Sequence, residues 1–238
     1  MAKICNAHPK TSSGNYDKVI SNKELASLVT KVQSTTISLG TDLEKKVVEA
    51  SNRSGSDLNT FVDAFTEGKV KPGKYLFTKT EAKKSKYSLN KKEPDFVVFD
   101  IESIAKRKCY IIEMKAGDNF DTKKAASEYS QLKDYTEHFG IRIGCITKFM
   151  ICCFNQTNKE IIVKGLKNTF REDEVLTGKD FCNLLGIDYN MILSSIEKDA
   201  VENTEWLINK IIEIESVQKE MQKKFCSVVE KKEFYPIE

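Results

Sequence analysis

Apolar residues return every three or four positions through the first quarter of the chain. Leu25, Leu28, Val29 and Val32 follow the capping sequence Ser21-Asn22-Lys23-Glu24, and this spacing predicts a helix. A second helix is expected from Gly40-Thr41-Asp42-Leu43-Glu44, with Thr41 or Asp42 as cap, Leu43, Val47, Val48 and Ala50 facing inward, and an end near Ser54-Gly55. Leu58, Phe61, Val62 and Phe65 repeat the helical spacing a third time. Ahead of all three, residues 1–20 carry Pro9, Ser12, Ser13 and Gly14 and read as an irregular arm.

The period then changes. Tyr75-Leu76-Phe77 suggests a short strand, and the apolar runs Phe96-Val97-Val98-Phe99 and Cys109-Tyr110-Ile111-Ile112, joined by the charged stretch 102–108, read as a hairpin. Ala125, Ala126, Tyr129, Leu132 and Tyr135 restore helical spacing, with Gly140 as the expected stop. Residues 141–154 and 160–163 are β-rich and predict two more strands around a turn at 155–158. Beyond Lys167 the pattern is helical, with helices expected at 179–185, 190–196 and 204–225. The order implies an α/β sandwich with a mixed central sheet and extra helices at both termini.

Composition narrows the chemistry. The chain has 238 residues, 40% hydrophobic and 31% charged, and no run of about 18 apolar residues, so a folded protein without a membrane span is expected, in the cytoplasm. Seven cysteines form no C-x-x-C pair and read as small hydrophobes. Only His8 and His138 are present, which argues against a zinc centre, a histidine-based nuclease centre or a Ser/His triad. Chemistry must then rest on carboxylates, lysines and a hard cation. The net charge is only +3, yet residues 67–92 hold nine lysines against two glutamates. Such a block, with Tyr75, Phe77 and Tyr87 interleaved, suits a phosphate backbone; a solvated lysine-rich loop over an aromatic core is the plainer alternative.

The sharpest signal is Glu93-Pro94-Asp95 followed by Glu113-Met114-Lys115. Alternate strand residues share a face, so Glu113 and Lys115 point together, and hairpin pairing can bring Asp95 beside Glu113. Carboxylates about 3 to 5 Å apart are costly unless positive charge sits between them. A divalent cation held by Asp95, Glu113 and the Met114 carbonyl would supply it, and Lys115 would orient an attacking water. Ordinary strand-end charges are the alternative reading, and Asp100 and Glu102 compete with Asp95 for the metal role.

Pro94-Asp95 and Glu113-x-Lys115 on paired apolar strands resemble the PD-(D/E)XK nuclease superfamily, the fold of most type II restriction endonucleases. Glu44 matches the acidic residue that many members send to the site from an early helix, with Glu49 as competitor. Gln131 and Tyr135 are similar to the Q-x-x-x-Y motif of the recombination-nuclease branch. The resemblance spans residues 40–165 and implies a restriction-endonuclease-like α/β/α core at 1–166, with a helical extension at 167–238 for dimerisation or DNA contact. It further implies catalytic Asp95, Glu113, Lys115, Glu44 and Gln131, Mg2+ (or Mn2+) as cofactor, and double-stranded DNA as substrate. A homodimer is implied as well, with a cognate DNA methyltransferase as genetic partner. A repair or junction-resolving nuclease and a non-catalytic DNA-binding module are the competing expectations.

Overall fold

The computed structural model describes residues 2–7, 16–51, 55–90 and 92–233, with side chains described up to Phe225. Residues 8–15 of the arm expected over 1–20, with His8, and also Ser54 lie outside them, while Ile4–Asn6 is a 3-10 turn. In chain order the elements are α1 (Tyr16–Val19), α2 (Lys23–Ala50), α3 (Leu58–Thr66), β1 (Gly73–Thr78), α4 (Lys79–Lys84), β2 (Phe96–Ile101) and β3 (Arg107–Lys115). They continue with α5 (Thr122–Ile143), β4 (Ile146–Cys153), α6 (Lys159–Gly165), β5 (Val175–Thr177), α7 (Gly178–Leu185), α8 (Tyr189–Ile212) and α9 (Glu215–Glu233). Contacts divide the chain into one unit of Gly40–Leu193 and another of Met1–Leu39 with Ser194–Glu238.

The larger unit is an α/β domain around a five-stranded sheet of order β1-β2-β3-β4-β5. The first three strands form an antiparallel meander, and β3, β4 and β5 run parallel. The parallel pair β3 and β4 is connected through α5, as a parallel pair requires. Alternation gives the sheet two buried faces. Phe77, Val97, Phe99, Cys109, Ile111 and Ile151 share a core with Leu58, Phe61, Val62 and Phe65 of α3 and Leu132, Tyr135, Phe139 and Ile143 of α5. On the opposite face Phe96 packs against Phe181 of α7, ring centroids 5.6 Å apart. The mixed sandwich expected from the sequence is therefore the observed fold.

Several boundaries differ from the expectation. Residues 160–163 are helical in α6 instead of extended, because the Asn158 side chain accepts the N–H groups of Glu160 and Ile161 and Ile162 turns into the core. A short β-branched run carries no period long enough to distinguish the two. The fifth strand is Val175–Thr177, in a segment read as wholly helical; it extends the sheet parallel to β4, and Thr177 then caps α7. The helices expected on either side of Gly40 are one, α2, in which Thr35, Thr36 and Ser38 turn their hydroxyls back onto carbonyls four residues earlier. Gly140 lies inside α5; the stop is Gly144, left-handed at φ 60°. Helices expected at 190–196 and 204–225 are redistributed into α8 and α9, with the break at residues 213–214.

The smaller unit is tied by polar contacts. The Asn203 side chain accepts from the Ile4 N–H and donates to the Ala2 carbonyl, and Lys3 pairs with Glu202. Trp206 is half-buried, with the Lys31 ammonium 5.4 Å from its ring centroid. Among the described residues no helix is long and apolar enough to cross a membrane.

Residues 116–120, directly after β3, are held by close packing. Phe120 N–H donates to the Gly165 carbonyl, Gln156 donates to the Asp118 carboxylate at 2.7 Å, and Asn155 N–H donates to Ala116. A Cβ on Gly165 would stand 1.9 Å from the Asp118 carbonyl oxygen. Gly40, by contrast, faces open space within its helix. Gly165→Ala is expected to lose about 1–3 kcal/mol by overpacking, and Gly40→Ala to gain up to about 1 kcal/mol through helix propensity. Thermal unfolding should show opposite shifts of about 2–4 °C per kcal/mol, and a neutral Gly165→Ala would contradict the packing account.

Candidate active site

The site follows from strand register. Phe96 pairs with Ile112 and with Thr78, so extending each ladder by one residue sets Lys79, Asp95 and Glu113 side by side across three chain segments. The bond from the Lys79 N–H to the Asp95 carbonyl, 2.9 Å, confirms the first of these steps. Because Asp95 spends its ladder bond toward β1, its pairing with Glu113 is of the closer, non-hydrogen-bonded kind. The row beneath is Phe77, Val97 and Ile111, all fully buried. Two carboxylates thus sit directly on a hydrophobic core, Asp95 5% and Glu113 8% exposed.

Each carboxylate is held. Asp95 Oδ2 accepts the Met114 N–H at 3.0 Å, and Oδ1 accepts from Lys79 Nζ at 3.0 Å. Glu113 Oε1 accepts from Lys115 Nζ, whose other carboxylate partner is Glu128 of α5 at 3.1 Å. The proline has a local role. One further step of the β2–β3 register would oppose Pro94 to Met114, and proline has no N–H to give to the Met114 carbonyl.

Burial pushes the Glu113 carboxyl up to about 7, with the neighbouring Asp95 charge adding to the rise and Lys115 and Lys79 opposing it. Glu44 is raised from its ordinary value for the same two reasons, burial first and then Asp95. For Lys115 burial works to lower the pKa, but Glu113, Glu128 and Asp95 outweigh it and the net shift is upward. In the protein alone Lys115 is a charged hydrogen-bond donor held between Glu113 and Glu128.

The structure brings Asp95, Glu113 and Lys115 together. Glu44 lines the same cavity of about 300 Å³ as Asp95, Lys79, Thr41, Thr78 and Glu49. Of the two competing glutamates Glu44 is the half-buried one, whereas Glu49 is exposed. Gln131 is engaged elsewhere, its amide donating to Ser127 Oγ at 3.0 Å. The α5 residue that reaches Lys115 is Glu128, one turn earlier. Tyr135 is a core residue stacked on Phe139. Asp100 lies five residues along β2 from Asp95, paired with Lys108, and Glu102 in the following turn pairs with Lys106.

Sequence reasoning missed Lys79 and Glu128. The signal for Lys79 was the three-strand register, which needs β1 to be paired; for Glu128 it was the helical position three residues before Gln131. The lysine block also reads differently in three dimensions. Lys69 pairs with Glu67, Lys86 with Asp63, Lys92 with Asp134 and Lys79 with Asp95, while Lys74 donates to the Asn183 carbonyl. Phe77 and Tyr87 are buried, and Tyr75 packs on Phe61 with its hydroxyl on the Lys71 carbonyl, so these aromatics are core.

Comparison with known proteins gives the family. The chain is 39% identical over 230 residues to the type II restriction enzyme HhaII of Haemophilus parahaemolyticus, covering 94% of this chain and 100% of that enzyme. This chain belongs to the type II restriction endonuclease family. No protein-family model matches it, and no solved structure matches it significantly.

In this restriction endonuclease the carboxylate pair could hold a hard cation. Among the described residues no three His, Cys, Asp or Glu side chains converge as a metal cluster. The protein's own donors would be the Asp95 and Glu113 carboxylates and the Met114 carbonyl. That sparse oxygen set suits a cation that keeps several waters and draws its remaining ligands from a substrate phosphate. Burial and the neighbouring Asp95 charge, which together raise the Glu113 carboxyl, are the conditions that a bound cation would relieve.

The Glu113 shift has a sign that can be tested without substrate. Folded Glu113 keeps its proton up to about pH 7, whereas an unfolded glutamate releases it near 4.5. Between those values the folded state binds more protons, so stability falls as pH rises through the window, by up to about 3 kcal/mol. Urea unfolding in chelator at pH 5 and pH 8 should show that fall in the wild type and a smaller one in Glu113→Gln. Parallel pH dependences in the two proteins would refute the assignment.

Proposed function

We propose that this restriction endonuclease cuts double-stranded DNA at a specific sequence by a Mg2+-dependent PD-(D/E)XK reaction, leaving 5′-phosphate and 3′-hydroxyl ends, with Mn2+ able to substitute. The observation that carries this reading is the buried, cross-strand pair Asp95 and Glu113 with Lys115 beside it, in a chain of this family.

Asp95, Glu113 and the Met114 carbonyl would hold the cation, and Glu44 would face it across the cavity. Bound there, the cation supplies Lewis acidity toward the phosphoryl oxygen and the water beside it. The chain's own groups do the rest. Lys115, kept charged by Glu113 and Glu128, donates to the attacking water and offsets the charge that develops on phosphate. Glu128 restrains the lysine from the helix side, so that its ammonium keeps one orientation. The α5–β3 contact positions the donor, and the apolar row beneath excludes water from the carboxylates.

A homodimer is part of the proposal, because one centre cuts one strand and a two-fold axis matches a palindromic site. So are a cytoplasmic location and a cognate DNA methyltransferase encoded as genetic partner.

Incubation with a long natural DNA and Mg2+, followed by end-sequencing, should give discrete fragments with one recurrent sequence and 5′-phosphates. Asp95→Ala should cut on the order of a thousandfold more slowly while still binding the fragment in a gel shift. An Asp95→Ala enzyme with undiminished Mg2+-dependent cleavage would end this mechanism.

A further inference from the structure

Lys79 has no place in the mechanism above, yet it is built into the site on three counts. Its backbone N–H is bonded to the Asp95 carbonyl at 2.9 Å, which fixes where its side chain departs. The preceding Thr78 accepts the Glu81 N–H and Glu81 accepts the Thr78 N–H, a reciprocal cap that sets the turn from β1 into α4. From there the ammonium reaches Asp95 Oδ1 at 3.0 Å, the side chain 47% exposed over a carboxylate that is 7% exposed.

The two oxygens of Asp95 are consequently unequal. Oδ2 is committed to a rigid strand amide, the Met114 N–H, which no ligand removes without opening the sheet. Among the described residues Oδ1 is held by the flexible Lys79 alone, which lines the Glu44 cavity. Oδ1 is the oxygen more open to a cation, and an ammonium and a divalent cation at that one oxygen repel each other. The lysine also has room to leave, because half of its side chain already faces solvent.

We propose that Lys79 is an internal counter-ion of the metal position: in the metal-free enzyme its ammonium occupies Asp95 Oδ1, and a divalent cation binds by displacing it. This rests on the reading of Asp95 as a metal ligand. Lys79 is a positioning residue, acting through Asp95. It offsets the charge of the carboxylate pair while the cation is absent, at the expense of competing with the cation for the same oxygen. Displaced, the ammonium stays tethered at the cavity mouth, where an anionic phosphate is its natural partner. Metal affinity should therefore be weak in the free protein and rise when a polyanion draws Lys79 away.

The test measures binding, independent of cleavage. Mn2+ is titrated into the metal-free protein, without DNA, and free Mn2+ is followed by electron paramagnetic resonance. Wild type, Lys79→Met, Lys79→Gln, Lys79→Arg and Asp95→Ala are compared, with circular dichroism to verify that each is folded. Lys79→Met and Lys79→Gln are expected to bind Mn2+ at least tenfold more tightly than wild type, Lys79→Arg to stay within about threefold of it, and Asp95→Ala to lose the site. Unchanged or weaker Mn2+ binding by the folded Lys79→Met and Lys79→Gln proteins, with Asp95→Ala still defective, overturns the counter-ion role alone. Equal binding by wild type and Asp95→Ala overturns the metal reading of Asp95 and this inference with it.

Discussion

The arrangement of the site depends on one carboxylate. Asp95 accepts a strand amide from Met114 on one oxygen and the Lys79 ammonium on the other, while its own carbonyl takes the Lys79 N–H. Those bonds join β3, β2 and the start of α4 at a single point. They also hold a buried negative charge beside Glu113 where the strand ladder ends. An unpaired ion in that position would be severely destabilising; here each carboxylate has a lysine and Asp95 has an amide as well.

Placing such a pair above Phe77, Val97 and Ile111 puts electrostatics in direct opposition to packing. The apolar row strips solvent from the carboxylates, and this burial is what pushes the Glu113 carboxyl upward. Lys115 and its two glutamate partners form the compensating half of the arrangement, reaching from β3 to α5. Charges packed this closely over an apolar row are an unfavourable local solution for folding, offset by the lysines beside them. The loop that follows Lys115 is correspondingly constrained, with Gly165 allowing backbone to meet backbone at Asp118.

Much of the core motif was legible from residue order. Strand alternation alone puts Glu113 and Lys115 on one face, and the apolar runs on either side of 102–108 make a hairpin whose register opposes Asp95 to Glu113. The aromatic residues of the lysine block and Tyr135 went to the core, the plainer of the readings open to them. What escaped was nonlocal or too short to have a period. β5 has three residues, α6 is a β-branched run made helical by an asparagine cap, and the helix α2 runs through Gly40 because back-bonded hydroxyls and open space leave no reason to stop.

The chain by itself determined the alternating strands, the amphipathic helices and the poverty in histidine that leaves carboxylates and lysine for the chemistry. These properties are set by neighbours a few positions apart, where period and composition act directly. Only the tertiary structure decided which charges meet. Lys79 and Asp95 are sixteen residues apart and join only when β1 pairs with β2; Lys115 and Glu128 join only when α5 folds back over β3; and Gln131, one turn on, is bonded to Ser127 instead. The physical reason is that an ion pair is fixed by the distance and burial that packing imposes, and no local pattern in the chain encodes either.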